Sequence, residues 1–245
     1  MTNLTIPKTV IMLGSGWNKI LDSVKIIKEY SYKDIFGLET SVPGHKGSLI
    51  IASIKNKKVA FMSGRIHLYE GIAPEIATQP IGILAKAGMK NLIVTSASGA
   101  INEKYQVGDF IILSDLLTLL LAGKNPLIGP EFVDMSEVFD LTMRQKAIKA
   151  CAKNDIPFHE GVYAYCHGPH FETPADKMAL KILGADVVGM SMVPETIVAK
   201  SLGIKVLGLS YVTNLAFVKH EHKDVLKAAQ KGSKQMSILL SNLLS

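Results

Sequence analysis

One stretch of the sequence decides the fold class, namely His159-Glu-Gly-Val-Tyr-Ala-Tyr-Cys-His-Gly-Pro-His-Phe-Glu-Thr-Pro-Ala-Asp-Lys-Met-Ala-Leu-Lys-Ile-Leu-Gly-Ala-Asp-Val-Val-Gly-Met190. It begins with a strand-like run, His159–Tyr165, and ends with a second one, Asp186–Met190. Between them, Thr173-Pro174 is a favourable helix start, because Thr caps the first turn and Pro suits its first position. A helix placed between two short apolar strands is typical of α/β proteins.

The same alternation of strand-like and helix-like segments runs along the rest of the chain. The other predicted strands are Thr9–Leu13, Ser48–Ile54, Lys58–Met62, Asn91–Thr95, Phe110–Leu113 and Lys205–Tyr211. The other predicted helices are Ala73–Ala87, Met135–Asn154, Pro194–Leu202 and Lys223–Leu244. We therefore predict one α/β domain over residues 1–245, with a central mixed, largely parallel sheet flanked by helices.

Composition narrows the class of protein. The chain has 245 residues, 48% of them hydrophobic and 20% charged, as in ordinary globular proteins. Its net charge of +6 is spread over scattered lysines, so we expect no nucleic-acid partner. Two cysteines make no disulfide framework and favour a reducing cytoplasm. The N-terminus lacks a signal-peptide pattern, and the longest apolar run, Leu116–Leu121, is far below the ~20 residues that span a bilayer, so no membrane association is expected.

Residues able to bind an oxyanion follow three of the predicted strands. Ser15 lies in the turn Gly14-Ser-Gly16, where backbone N–H groups before a helix can also face an anion. Arg65 is of the residue type that binds oxyanions through two parallel hydrogen bonds. Ser191 adds a hydroxyl after a later strand. Together they predict a phosphate-like ligand.

A second group of residues suits a polar ring. Glu172 and Asn214 are able to bind a lactam-type ring edge, since a carboxylate accepts two N–H bonds and an amide both donates and accepts. The pairs His167-Gly-Pro-His170 and His220-Glu-His222 lack the spacing and companion carboxylates of a zinc site, so we expect no metal. Cys166 has no base beside it in sequence and is interpreted as a packing residue.

In the order and spacing of its short motifs, the chain resembles the trimeric-type purine nucleoside phosphorylases, and the resemblance extends from about Val10 to the C-terminal helix. The segments that carry the resemblance are Leu13-Gly-Ser-Gly16, Pro43-Gly-His45, Gly64-Arg-Ile-His-Leu-Tyr-Glu-Gly71, Val94-Thr-Ser-Ala-Ser-Gly99, Val107-Gly-Asp109, Asn125-Pro-Leu127, Gly168-Pro-His-Phe-Glu-Thr173, Gly189-Met-Ser-Met-Val-Pro-Glu195 and Thr213-Asn214. The resemblance implies the nucleoside phosphorylase fold, a homotrimer, and cleavage of a purine ribonucleoside by inorganic phosphate, a co-substrate, without any cofactor.

The resemblance also implies a role for each site residue. Phosphate would be bound by Ser15, His45, Arg65, His67, Ser191 and the backbone of Ala97. The nucleoside would contact Tyr69 and Met190 at the ribose, Phe132 from a neighbouring subunit, His222 at the 5′-hydroxyl, and Phe171, Glu172 and Asn214 at the base. Of these, Asn214, Glu172 and His67 would act in catalysis.

Substrate range follows from the base-binding pair. Asn214 with Glu172 indicates 6-oxopurines, hence inosine and guanosine, whereas the related methylthioadenosine phosphorylases carry an acid in place of Asn214. A methylthioadenosine phosphorylase and a non-catalytic nucleoside- or phosphate-binding protein remain alternatives. A short loop leaves open whether Phe132 reaches a neighbouring subunit. The short segment after Asn214 leaves open whether His222 or His220 contacts the ribose.

Overall fold

The computed structural model describes residues 4–42, 45–121, 124–130, 132–218 and 222–244, and the side chains of residues 222 and 223 lie outside that description. Within these residues the strands are β1 (Thr9–Leu13), β2 (Lys25–Ser31), β3 (Ser48–Ile54), β4 (Lys57–Ser63), β5 (Asn91–Ala100), β6 (Phe110–Leu117), β7 (Phe158–Tyr165), β8 (Val187–Gly189) and β9 (Lys205–Leu215). The helices are α1 (Tyr32–Phe36), α2 (Pro74–Ala77), α3 (Gln79–Lys86), α4 (Leu141–Lys153), α5 (Pro174–Ile182), α6 (Val193–Ser201), α7 (His222–Lys231) and α8 (Ser233–Leu243). Short 3-10 segments cover Trp17–Ser23, Leu68–Glu70 and Leu119–Leu121.

The strands form one mixed sheet in the order β2-β3-β4-β1-β5-β8-β7-β6-β9, and a further pairing of β5 with β9 closes its second half into a ring. The parallel pairings are β1 with β4 and β5, β5 with β9, and β7 with β6 and β8. The antiparallel pairings join β2 to β3, β3 to β4, β5 to β8 and β6 to β9. The predicted mixed, largely parallel sheet is confirmed, and two main clusters of buried apolar side chains pack on it.

The β7-α5-β8 unit forms as the opening stretch predicts. The Thr173 hydroxyl accepts a hydrogen bond from the Asp176 N–H at 3.2 Å, and Asp176 Oδ2 accepts one from the Thr173 N–H at 2.9 Å. This capping box satisfies two donors that the helix would otherwise leave unpaired. The helix returns the chain so that β8 pairs with β7 in parallel.

The predicted helix Met135–Asn154 is wrong in its first six residues. Val138 and Phe139 are buried in the core as irregular chain, and α4 begins only at Leu141. Asp140 caps it by accepting from the Met143 N–H at 2.9 Å, while its own N–H donates to a β9 carbonyl. The amphipathic pattern therefore extends to residues that precede the N-terminal cap, where the chain is not yet helical.

Two other predicted helices are divided. Ala73–Ala87 forms α2 and α3, which meet at Thr78, just before the ring of Pro80. Lys223–Leu244 forms α7 and α8, which meet at Gly232. A Cβ at Gly232 would lie 2.5 Å from the ring of Tyr211, so the close approach of β9 requires glycine there.

Candidate active site

A cavity lies where several parallel strands end, the position at which open α/β sheets bind ligands. The predicted site residues that line it are Ser15, Arg65, His67, Tyr69, Ala97, Phe171, Glu172, Met190, Ser191 and Asn214. The oxyanion-binding and ring-binding candidates thus share one cavity, although they come from segments far apart in sequence.

The turn after β1 holds Ser15 at the cavity wall. The Gly14 N–H donates to the Thr95 hydroxyl at 2.9 Å, and that hydroxyl donates to the Met12 carbonyl at 3.0 Å. Gly14 is needed because a Cβ there would lie 2.8 Å from the Thr95 carbonyl oxygen. Gly16 has a φ of 83°, which glycine adopts without strain. Thr95 therefore fixes the position of the whole turn.

His45 lies behind Ser15 rather than in the cavity lining. Its Nε2 is 3.1 Å from the Ser15 hydroxyl, and its Nδ1 is 2.9 Å from the backbone N–H of Arg65. Burial, and next the neighbouring His67, lower the pKa of His45 to about 3, so its ring is neutral at physiological pH. His45 therefore connects the Ser15 turn to the Arg65 segment.

Arg65 is almost completely buried, with 2% of its surface exposed. One terminal nitrogen, Nη2, donates to the Thr95 carbonyl, and Nη1 lies 4.0 Å from Oε1 of Glu195. Within the described residues, Nε and Nη1 have no hydrogen-bond acceptor. Because a guanidinium keeps its charge in proteins, Arg65 lines the cavity as a cation with unused donors, which suits an oxyanion.

His67 is supported by a carboxylate that the sequence prediction left without a role. Glu70 accepts from the His67 backbone N–H at 2.7 Å and from the Ser41 N–H at 2.9 Å, and its Oε1 lies 3.7 Å from His67 Nδ1. Burial lowers the pKa of His67. Burial alone would raise the pKa of Glu70, but its hydrogen bonds from His67 and Ser41 outweigh that effect and lower it to about 2. The rings of His67 and Tyr69 stack at 4.6 Å.

Ser191 lies in the tight turn between β8 and α6. Its N–H faces the Tyr163 hydroxyl at 3.4 Å, and Met192 after it has a φ of 60°. Gly189 is required at the start of the turn, since a Cβ there would lie 2.3 Å from that hydroxyl oxygen. Tyr163 was not predicted as a site residue, and only a folded sheet brings it beneath Ser191.

The ring-binding candidates line the same cavity. Glu172 and Phe171 come from the loop between β7 and α5, and Asn214 comes from the end of β9. The Thr213 hydroxyl lies 3.1 Å from Asn214 Oδ1 and 3.2 Å from the Ser98 carbonyl, which restricts the rotation of the amide. The pair proposed from sequence to bind a purine therefore shares one cavity with the oxyanion-binding candidates.

Phe132 does not line the cavity of its own chain. Phe132 is fully exposed and lies at a separate groove with Leu127 and Met135. His222 begins α7, but its side chain, like all of His220, lies outside the described residues. Val225 of the same helix, which sequence reasoning missed, does line the cavity, so α7 passes over it.

Over the described residues, no group of three or more His, Cys, Asp or Glu side chains is arranged to hold a metal ion. A search of the same residues finds no helix that is both long and apolar enough to cross a membrane.

Comparisons with known proteins agree with this geometry. A family model described as the phosphorylase superfamily matches residues 8–245. Purine nucleoside phosphorylase 1 of Bacillus subtilis is 39% identical over 92% of this chain and 87% of its own length. The Bos taurus purine nucleoside phosphorylase is 34% identical over 98% of this chain and 89% of its own. A crystal structure of the Schistosoma mansoni enzyme, isoform 2, in complex with cytosine and ribose-1-phosphate superposes with a TM-score of 0.91 at 34% identity, covering 98% of this chain and 90% of that one. A Schistosoma mansoni complex with inosine gives 0.89 at 35% identity, covering 97% and 89%.

Proposed function

The chain belongs to the phosphorylase superfamily, among the purine nucleoside phosphorylases, and from this premise and its cavity we propose that it cleaves 6-oxopurine ribonucleosides with inorganic phosphate. The products are the free purine and ribose 1-phosphate. The observation that carries this proposal is the single cavity whose lining brings the oxyanion-binding candidates Ser15, Arg65 and Ser191 together with Glu172 and Asn214.

Phosphate is bound by neutral donors around one cation. Arg65, with its free N–H groups, the hydroxyl-bearing Ser15 and Ser191, and Ala97 all line the cavity, and we call the part of the wall that they form the phosphate end. His67 faces them with its Nδ1 side toward Glu70. The carboxylate favours a proton on Nδ1, which leaves Nε2 free to accept from a protonated phosphate oxygen.

The glycosidic bond breaks as positive charge develops on the sugar and negative charge on the base. A phosphate oxygen bonds to C1′ while the electron pair of the C1′–N9 bond moves into the purine, and the base gains the proton that HPO₄²⁻ brings in the overall balance. Phosphate held by Arg65 stabilises the cationic sugar, and an N–H of Asn214 stabilises the purine at N7. Both contacts strengthen as charge develops, which accelerates the step. Holding phosphate in line adds a contribution from proximity.

Base choice follows from hydrogen-bond polarity. The carboxylate of Glu172 accepts the ring N–H that a 6-oxopurine carries, and the Asn214 amide donates toward N7 and the 6-oxygen. A 6-amino group would meet the same donor and leave it unpaired, which weakens binding. Inosine and guanosine are therefore the expected substrates, and no cofactor is required.

Assembly and location are proposed on separate grounds. We propose a homotrimer on the ground of the family resemblance. The exposure of Leu119, Ile128 and Phe132, by 65%, 81% and 100%, supports a subunit contact that would bury them. Sedimentation equilibrium measures the oligomeric state directly, and a monomer at micromolar concentration would contradict the proposed trimer.

Cys151 and Cys166 are both free and buried, which suits the reducing cytoplasm that we propose as the location of the protein.

The test is a substrate panel of inosine, guanosine, adenosine and methylthioadenosine, each with and without phosphate, in which the released base is quantified. We expect phosphate-dependent release of hypoxanthine and guanine. Preferential release of adenine from methylthioadenosine would indicate the related activity instead. Binding of inosine without release of base in wild-type protein, under conditions where phosphate also binds, would indicate a non-catalytic binding protein.

A further inference from the structure

Glu195 is a buried carboxylate that faces Arg65 from the side away from the cavity. Its exposed fraction is 4%, and it does not line the substrate cavity. It lines instead a small space behind Arg65, together with Met12 and Tyr32. Glu195 therefore does not contact a ligand bound in the cavity, and it acts on such a ligand through its charge.

The contact between these charges is loose. Nη1 of Arg65 and Oε1 of Glu195 are 4.0 Å apart, beyond hydrogen-bond length, and Glu195 Oε2 has no partner within the described residues. Arg65 is held in place by other means, namely the hydrogen bond from Nη2 to the Thr95 carbonyl and its nearly complete burial. Glu195 thus contributes little to the orientation of Arg65, and its main effect is its charge.

We propose that Glu195 is a built-in counter-ion of Arg65 that sets how tightly the phosphate end of the cavity holds an oxyanion. This inference rests on the proposed function. In the empty protein, Glu195 compensates a buried positive charge that would otherwise be costly. In the complex, the same carboxylate repels the bound phosphate from behind the guanidinium, so phosphate and ribose 1-phosphate are held less tightly than Arg65 alone would hold them.

Removing the carboxylate has two opposing effects on phosphate affinity: Arg65 loses some of its orientation, and phosphate is no longer repelled. The larger effect determines the sign of the change. Loss of a 4.0 Å contact that is not a hydrogen bond costs little in orientation. A phosphate bound at about 3 Å on the other side of a guanidinium that is itself 4.0 Å from Glu195 would be about 8 Å from the lost charge. At an effective dielectric of about 20, loss of a unit charge at that distance changes a dissociation constant by roughly 30-fold. We therefore expect Glu195→Gln to bind inorganic phosphate about tenfold more tightly than wild type.

The experiment is calorimetric titration of inorganic phosphate into wild type, Glu195→Gln and the control Glu75→Gln, which removes the same charge from an exposed position on α2. Only Glu195→Gln is expected to bind more tightly. Steady-state kinetics should show a lower KM for phosphate, an unchanged KM for inosine, and a lower kcat if release of ribose 1-phosphate limits turnover.

The possible outcomes distinguish failure of this inference from failure of the proposed function. Equal or weaker phosphate binding by Glu195→Gln, with wild type binding normally, overturns the counter-ion role and leaves the proposed function intact. Absence of phosphate binding by wild type overturns both. If Glu195→Gln does not fold without phosphate, Glu195→Asp is used, since it retains the charge at a greater distance. Its phosphate affinity should be between wild-type affinity and twice that value, and a loss of affinity would contradict the proposal.

Discussion

Thr95 gives the sharpest test of how the phosphate end is built. Its hydroxyl accepts from the Gly14 N–H at 2.9 Å and donates to the Met12 carbonyl at 3.0 Å, and the residue is completely buried. Thr95→Val keeps the shape but leaves the buried Gly14 N–H without an acceptor. An unpaired buried donor costs about 1–3 kcal/mol, and the lost second bond adds about 1 kcal/mol. We therefore expect a loss of about 2–4 kcal/mol of unfolding free energy.

Thr196 provides a matched control, because it is equally buried and its hydroxyl has no hydrogen-bond partner within the described residues. Thr196→Val should be neutral or slightly stabilising. The assay is urea unfolding followed by fluorescence of Trp17, the single tryptophan, which is buried two residues after Ser15. In a separate thermal unfolding experiment with the same fluorescence signal, the midpoints of the two variants should differ by roughly 5–12 °C.

Thr95→Val should also raise the KM for phosphate severalfold with little change in the KM for inosine, because the turn that carries Ser15 loses its anchor. Identical urea midpoints for Thr95→Val and Thr196→Val would refute the hydrogen-bonded turn. A raised KM for inosine with an unchanged KM for phosphate would place Thr95 at the wrong end of the cavity.

Three further predictions concern other parts of the site. Asn214→Asp should raise kcat/KM for adenosine relative to inosine by about tenfold, because a carboxylate accepts from a 6-amino group; an unchanged ratio would argue against its base contact. Glu70 has its pKa lowered from 4.5 to about 2 in the folded protein, so its stabilisation is complete above pH 4.5 and is lost as the pH falls toward 2. Glu70→Gln should accordingly be less stable than wild type at pH 7, with urea midpoints that converge across that window; parallel curves would contradict the linkage. Gly189→Ala should lose most activity because its Cβ would lie 2.3 Å from the Tyr163 hydroxyl, and adding Tyr163→Phe should recover part of it; wild-type kcat/KM for Gly189→Ala alone would contradict the close contact.

The strand ends were predictable from sequence because short apolar runs are followed directly by polar or glycine-rich segments. The length of β5, in contrast, was not predictable from the sequence. Thr95–Gly99 consists of small residues, and although Thr favours strands, Ala97 and Gly99 are of types depleted in them. β5 nevertheless continues to Ala100 because it pairs with β9 along its length and with β8 at its end. Pairing partners far away in sequence therefore decided where this strand stops.

The support beneath the site was hidden from the sequence for the same reason. Glu70 lies three residues after His67, a capping spacing that could have been recognised. No spacing connects Glu195 to Arg65, or Tyr163 to Ser191, because 130 and 28 residues separate the members of these pairs. Such contacts exist only after the sheet has assembled, so sequence indicated the residues that touch substrate better than those that hold them.

The charges around the phosphate end indicate how it selects its ligand. Among the described residues that line the cavity, Arg65 is the one permanently cationic side chain, and Glu195 lies 4.0 Å behind it. His67 and His45 have lowered pKa values, so neither adds positive charge near neutral pH. A site without a surplus of positive charge cannot attract every anion by long-range electrostatics. It must select by the directions of its hydrogen-bond donors, and a protonated phosphate oxygen facing His67 would then distinguish phosphate from sulfate, which carries no proton at neutral pH.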